Sequence, residues 1–436
     1  MPMKHEARAA QGRDQRARLS RAKLGELASR KKGFDPVRAV LRSGKGRLQT
    51  LLPVKYKKMA ASPFAFFRGS VALMAADLAR APNTGLTVQL CGDAHIQNLG
   101  SFGTPDGRTV FDINDFDESA PGPWEWDVKR MAASIVLAGL EIGQTREACG
   151  SAAEKFAASY CTLMEFLAGQ PILAAARYQI HRAGSAQAVS AALRQAERST
   201  PGDLLAKYTE ADPNGSVKFR KIGKALWRLG GGRRAEVLRS LSAYRKSLPS
   251  ERVHLFDFFR AVDIGFKVVG TGAVGLRNYI VLMEGNGPAD PLFLQIKQQM
   301  ASAYSPFLKL PAYRNQGQRV AEAQRLMQPL SDLLLGWTLI GEEHFLVRQL
   351  NDHKGSVDLE QLRGTGLSSL AEIAGELLAR GHARSGVSIA IQGYIGAPER
   401  VIKAISRYAM AYADVVHADF AKFQKAICEG RVKPAA

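Results

Sequence analysis

Apolar and polar positions alternate over "LTVQL" (Leu86 to Leu90), and "TVFDI" (Thr109 to Ile113) reads as a second, mostly apolar strand. A period of two is the pattern of a half-buried strand. "PDG" just before the second stretch is a turn signal, so residues 86 to 117 predict strand, polar loop, hairpin, strand, loop. Upstream, "ASPFAFFRGSVALMAADLARAP" predicts a turn and one amphipathic helix ending near Pro82. Downstream, "EWDVKRMAASIVLAGLEIG" carries apolar residues at helical spacing, and the chain stays mostly helical to about residue 250, interrupted by stretches such as "RLGGGRRAE".

The pattern changes near residue 262. "IGFKVVGTGAVGLRNYIVLMEGNGPADPLFLQIKQQMA" is rich in β-branched residues and glycine, and predicts three strands separated by a glycine-rich turn and a "GNGPADP" turn. "GQRVAEAQRLMQPLSDLLLG" predicts an amphipathic helix and "EEHFLVRQL" another strand. From "LSSLAEIAGELLARGHARSG" onward the periodicity is helical again, with a last helix over about 399 to 428. The fold class is therefore α+β. Its expected divisions are a basic arm (1–33), a helical region carrying the polar loops (34–257), a small β-rich region (258–352) and C-terminal helices (353–436).

Composition narrows the class. Of 436 residues, 46% are hydrophobic, which is ordinary for a globular chain, and no apolar run reaches the eighteen residues of a membrane span. The first 25 residues are basic without an apolar core, unlike a secretory signal. Four scattered cysteines, with no CxxC pair, argue against a disulfide framework or zinc site and suit a reducing cytoplasm. The net charge of +20 is concentrated at the start: residues 1–60 hold 17 Lys/Arg against 4 Asp/Glu. Such an arm is expected to be solvated and partly disordered. The functional alternative is an arm that meets nucleic acid or a phosphorylated ligand, although no aromatic precedes Phe34 to stack on bases.

Two polar segments and one glycine turn carry the chemistry. Gly270, Gly272 and Gly275 form GxGxxG, a pattern that chance supplies in roughly a third of sequences of this composition. A dinucleotide site needs a helix directly after the glycines, whereas "LRNYIVL" predicts a strand. A hairpin of this kind fits the glycine-rich loop that covers ATP phosphates in kinase-like enzymes. That architecture needs a lysine on the third strand, supplied by Lys297 in "LFLQIKQ". It also needs a glutamate on the next helix, for which Glu322 is the candidate. "GDAHIQN" places Asn98 five residues after Asp93, the spacing of a catalytic aspartate and a metal-binding asparagine; chance supplies this pattern on the order of once in a thousand. "FDINDFDES" then offers Asp112, Asp115 and Asp117 as oxygen ligands for Mg²⁺, with Asp112 equally well a surface acid of the hairpin. His95 lacks a second ligand at zinc spacing and is expected to orient the loop by hydrogen bonds. Cys91 is expected to pack.

At these residues the sequence resembles the aminoglycoside-phosphotransferase branch of the kinase-like superfamily. That branch carries H-G-D-x-H-x-x-N followed by an I-D-[FW]-x-D segment. "CGDAHIQN" and "NDFDES" are similar, with Cys91 in place of the histidine. The resemblance implies Asp93 as catalytic base, Asn98 and Asp115 as metal ligands, Asp117 as a secondary acid, and Asp127 of "GPWEWDVKRMA" as a structural anchor. The order of segments departs from that branch, because the glycine loop and lysine follow the catalytic loop by about 180 residues, and "ELLARGHARSG" resembles the helix that normally precedes it. The resemblance thus implies a two-lobe fold with circularly permuted lobe order. The stretches "ASPFAFFRG", "GDAHIQNLGSF", "PGPWEWDVKR", "GTGAVG" and "VRQL" also resemble an uncharacterised bacterial family, domain of unknown function 2252, over residues 40 to 425.

The function implied is an ATP- and Mg²⁺-dependent phosphotransferase. The glycines and Lys297 would hold phosphates, Asp93 would receive the proton of an acceptor hydroxyl, and Arg68 and Arg348 are further phosphate or hinge contacts. The acceptor, small molecule or protein, is left open, as is nucleotidyl rather than phosphoryl transfer. The rivals are a nucleotide-binding regulator without turnover and a nucleic-acid-binding protein acting through its basic arm.

Overall fold

The computed structural model describes residues 5–180, 186–198, 200–211, 217–268, 270, 272–350 and 355–435. Residues 1–4 of the basic arm and 351–354 beyond "VRQL" lie outside these. Helix accounts for 52% and strand for 16%, and among the described residues every paired strand is antiparallel, so the fold is α+β.

The largest sheet has six strands in the order Gly336–Ile340, Glu343–Gln349, Pro291–Gln298, Asn278–Glu284, Arg260–Lys267 and Leu226–Arg228. Both of its faces are covered. Tyr279, Val281 and Met283 enter one apolar cluster, while Ile280 and Leu282 enter another on the opposite side. Burial on both faces is why these strands read as continuous apolar runs. The two edge strands were not apparent in the sequence, since three to five residues are too few to display a period.

The sheet layer also begins earlier than the composition change suggests. Leu226–Arg228 pairs with Arg260–Lys267, and Val237, Tyr244 and Phe256 of the next two helices, with Leu248 between them, pack under the sheet. The expected boundary at 257/258 therefore falls inside this layer. The helix expected over "GQRV…LLLG" stops at Met327, two residues before Pro329, where the restriction on residues preceding proline disfavours further helix.

The other layer is helical. Trp124–Glu141 is buried along almost its whole length among Arg146–Ala168, Gly366–Ala383 and Glu399–Cys428. The chain on either side of the sheet thus closes one core. The helix expected over 62–82 is two, Pro63–Gly69 and Val71–Leu78, broken at Ser70, whose backbone (φ −125°, ψ 39°) is not helical. Thr87–Leu90 pairs with Ala120–Pro123, and Leu99–Gly103 with Thr109–Ile113. Both polar segments leave these short ladders on the side facing the large sheet.

The described part of the basic arm, residues 5–33, is packed on the rest of the chain, contrary to the expectation of a solvated, partly disordered tail. His5–Arg18 is a helix packed against Ser388–Ile395. Its polarity gives it little apolar surface to bury, and hydrogen bonds replace that surface. Arg16 donates to the carbonyls of Gly393 and Tyr394, and Arg21 to those of Ile395 and Ala397. Cations at a helix C-terminus satisfy its orphan carbonyls and its dipole. Farther along, Arg30 bridges Asp77 and Asp419. The two helices touch backbone to backbone, since a Cβ on Gly12 would lie 1.8 Å from the Ala390 oxygen and one on Gly393 2.2 Å from that of Ala9. Gly12→Val is expected to detach the arm, making its arginine-rich segment trypsin-sensitive while the rest stays folded. Unchanged proteolysis would show that the contact is not what holds the arm.

Candidate functional site

The site is built on Asp127, three residues into the buried helix Trp124–Glu141. Its carboxylate accepts the backbone N–H groups of Cys91 (2.7 Å) and Gly92 (3.1 Å), so the loop leaving Leu90 is anchored to the helix. Behind it His382 lies 3.4 Å away and itself meets the Tyr160 hydroxyl at 2.9 Å. Gly92 has φ +86°, and a Cβ there would sit 2.0 Å from the Glu118 carbonyl oxygen, so only glycine fits. The Tyr304 hydroxyl donates to the Gly92 carbonyl at 2.7 Å, and the Asn98 amide to the Asp93 carbonyl at 2.9 Å. The loop backbone is thereby fixed from three directions. Cys91 is buried, and that burial pushes its thiol up, which suits a packing residue rather than a nucleophile.

Asp93 has a partner from outside its own loop. Arg130, fully buried, donates through Nε to Asp93 Oδ1 at 2.8 Å and also through Nη2, while lying over the Phe67 ring. Burial alone would raise the carboxyl, but the Arg130 guanidinium outweighs it and holds Asp93 below the ordinary aspartate range. The signal for Arg130 was present: it follows Asp127 by three residues on one helix, so both project toward the same loop. His95 does not hydrogen-bond the loop as expected. Its Nε2 is 3.7 Å from Asp93 and burial pushes it down to about 3, so it is neutral.

The two acids after the hairpin face the large sheet. Lys297 Nζ lies 2.5 Å from Asp117 and 3.7 Å from Asp115. Asp117 also accepts from Gln299 at 2.9 Å. Burial would raise Asp117, but Lys297 holds it down, whereas Asp115 is raised by burial and by its neighbour Asp117. Asp115 is the more open, with 34% of its side chain exposed against 19% for Asp117.

Two expectations are corrected. Glu322 does not meet Lys297. It lies exposed on the outer face of Gln316–Met327 with Gln318, which donates to it at 2.8 Å. The inner face instead presents Arg319, which donates to the Asp117, Ser119 and Met300 carbonyls, together with Gln324 and Gln328. Asp112 is no surface acid. It is buried and paired with Arg380 at 2.5 Å.

One cleft of about 940 Å³ gathers these groups: Asp93, Asn98, Asp115, Asp117, Lys297, Gly270 and Gly272 all line it. The glycine turn joins Arg260–Lys267 to Asn278–Glu284, so a strand follows Gly275 and the geometry of a dinucleotide site is absent there. Gly275 has φ +90°, while Arg47 donates to the carbonyls of Gly272 and Val274 and pins the turn. Arg348 lines the cleft too, donating to Gln295 and to the Asn114 carbonyl. Among the described residues no group of three His, Cys, Asp or Glu can hold a metal by itself. The donors at hand are the Asp115 and Asp117 carboxylates and the Asn98 amide, an all-oxygen set that suits Mg²⁺ completed by phosphate oxygens and water and does not suit zinc.

No helix among the described residues is long and apolar enough to cross a membrane. No curated protein and no solved structure matches the chain. The family model described as "Uncharacterized protein conserved in bacteria (DUF2252)" matches residues 47–426, which take in the loop at Asp93, the acids at Asp115 and Asp117, the glycine turn and Lys297, and the chain belongs to that family.

Proposed function

We propose that the protein is a cytoplasmic, ATP- and Mg²⁺-dependent phosphotransferase with a permuted kinase-like architecture, acting on a hydroxyl acceptor. One observation carries this reading. A glycine turn and a lysine some 200 residues beyond Asp93 line the same cleft as Asp93, Asn98 and two acids. In a kinase-like lobe a glycine turn joins two strands, the next strand carries the lysine and a helix follows; in support, the turn here joins Arg260–Lys267 to Asn278–Glu284, Lys297 is on the next strand and Gln316–Met327 follows, with Leu226–Arg228 an additional strand ahead of them. This arrangement lacks the lysine–glutamate pair, and Asp117 takes the place of Glu322 beside Lys297.

The roles proposed on this reading are these. The turn pinned by Arg47 and the Lys297 ammonium would receive phosphate oxygens. Asp115, the open acid, and Asn98 would hold Mg²⁺, which when bound neutralises phosphate charge. Asp93, oriented by Arg130, would accept a hydrogen bond from the acceptor hydroxyl. A carboxylate held this anionic is a weak base, so its contribution is mainly positioning.

The same Arg130 pair favours a second reading, a nucleotide-binding regulator, because it takes up Asp93 Oδ1 and holds the carboxylate a weak base. ATP labelled separately at the α- and γ-phosphates separates the cases. Transfer of γ-label supports the phosphotransferase, transfer of α-label makes it a nucleotidyltransferase, and binding without transfer leaves the regulator. Within the first reading, Asp115→Ala is expected to weaken Mg²⁺-dependent ATP binding at least about tenfold by calorimetry, the loss of one charge-assisted contact. Asp112→Ala should leave ATP affinity within about twofold yet destabilise the fold by roughly 3–5 kcal/mol, because Arg380 is left buried and unpaired. The reverse ranking in ATP affinity would move the metal site to Asp112.

A further inference from the structure

The cations of the cleft divide into two groups. Lys297 and Arg348 face Asp115 and Asp117. Lys55 faces Glu118 and Asp93, and Arg68 faces Asp93 first, then Glu141 and Asp115. Lys55, on the helix Leu52–Met59, is 2% exposed, and its ammonium forms no ion pair or hydrogen bond with any described residue. By contrast Lys297, equally buried, has two carboxylates. Arg68 lines the same wall, and its Nε is buried without a partner among the described residues. Lys45 and Lys58 line the same cleft, and Arg47, next to Lys55, is held by the glycine-turn carbonyls. A buried cation without a partner is costly and is retained where something else supplies the anion. The two acids facing Lys55 do not bond its ammonium: Asp93 Oδ1 is taken by Arg130, and Glu118 accepts the Ala303 N–H.

We propose that Lys55 and Arg68 form an oxyanion-binding subsite beside Asp93. On the phosphotransferase reading, on which this second half rests, the acceptor is a hydroxyl compound that itself carries a phosphate or carboxylate. A cationic amino sugar would meet the basic wall with like charge. The subsite is separate from the one for the nucleotide phosphates, which belong with Lys297 and the glycine turn.

Calorimetry on the full chain tests this, with inorganic phosphate, malonate and Mg²⁺-ATP titrated separately into the wild type, Lys55→Met, Arg68→Gln and Lys297→Met. Phosphate or malonate affinity should fall at least about tenfold in each of the first two variants, the worth of one charge-assisted hydrogen bond, and stay within about twofold in Lys297→Met. Mg²⁺-ATP affinity should show the opposite ranking. Arg68 is partly exposed, so its variant keeps the test decisive if Lys55→Met does not fold. Which of the two anions binds more tightly distinguishes a phosphorylated from a carboxylated acceptor. Anion affinity indifferent to both Lys55 and Arg68, or no anion binding at millimolar concentration, overturns the subsite. A wild type that binds no Mg²⁺-ATP but retains the Lys55- and Arg68-dependent anion site removes the phosphotransferase reading and leaves the subsite standing.

Discussion

Asp93→Asn is expected to lower turnover by about 10²-fold, the scale of a lost positioning contact, and also to destabilise the fold by roughly 3–5 kcal/mol. The second effect comes from Arg130. Its side chain has no exposure, and its guanidinium meets Asp93 through two nitrogens. Amidation removes the charge that makes burying this guanidinium tolerable. The pair's stabilisation is present above the ordinary aspartate value of 3.8 and fades as pH falls below it, because the folded-state value is depressed. The two effects separate in a double variant. Asp93→Asn combined with Arg130→Met should recover most of the lost stability, since no unpaired cation remains, and recover none of the turnover. Turnover of Asp93→Asn within threefold of wild type, in protein that is still folded, would remove Asp93 from the chemistry.

Lys55→Met is expected to stabilise the protein. Burial lowers the Lys55 ammonium from 10.5 to about 7, and Arg47 beside it acts in the same direction, against Glu118 and Asp93. At about 1.4 kcal/mol per unit, this corresponds to roughly 5 kcal/mol at most. Relaxation and water in the cleft reduce it, so a gain of about 1–4 kcal/mol is expected, the range seen when buried charges give way to apolar side chains. The sign with pH follows from linkage. Between about 7 and 10.5 the unfolded chain holds a proton on this lysine that the folded chain does not, so wild-type stability rises with pH across that window. The advantage of Lys55→Met should therefore be full below pH 7 and vanish toward pH 10.5. Denaturant unfolding at pH 6, 8 and 10 measures it. A pH-independent gain would mean that only packing had improved, and a loss would mean that Lys55 has an anionic partner inside the fold. A side chain that weakens the fold in the empty cleft and binds an anion when one is present is the trade common at functional sites.

Local pattern was enough for much of this protein. The strand into Cys91, the strand over Thr109–Ile113, the helix after Trp124, the three strands around the glycine turn and the last helix at Glu399–Cys428 all lie where periodicity and turn residues place them. So do Asp93, Asn98, Asp115, Lys297 and the glycines as polar or glycine positions at element ends, because spacing within one segment is set by the pleat and the helical turn. What only the tertiary structure decided concerns partners. Whether Glu322 or Asp117 meets Lys297 depends on how Gln316–Met327 is rotated about its axis, and in that rotation Arg319 reaches the Asp117 and Ser119 carbonyls. Whether Asp112 is surface or core depends on Arg380, 268 residues away. The basic arm folds because the carbonyls ending a helix near residue 395 accept its arginines. Lys55 has no signature in sequence at all, being one lysine of three in "VKYKKM". Its meaning lies in a missing partner, and long-range pairing, present or missing, is what a local pattern cannot encode.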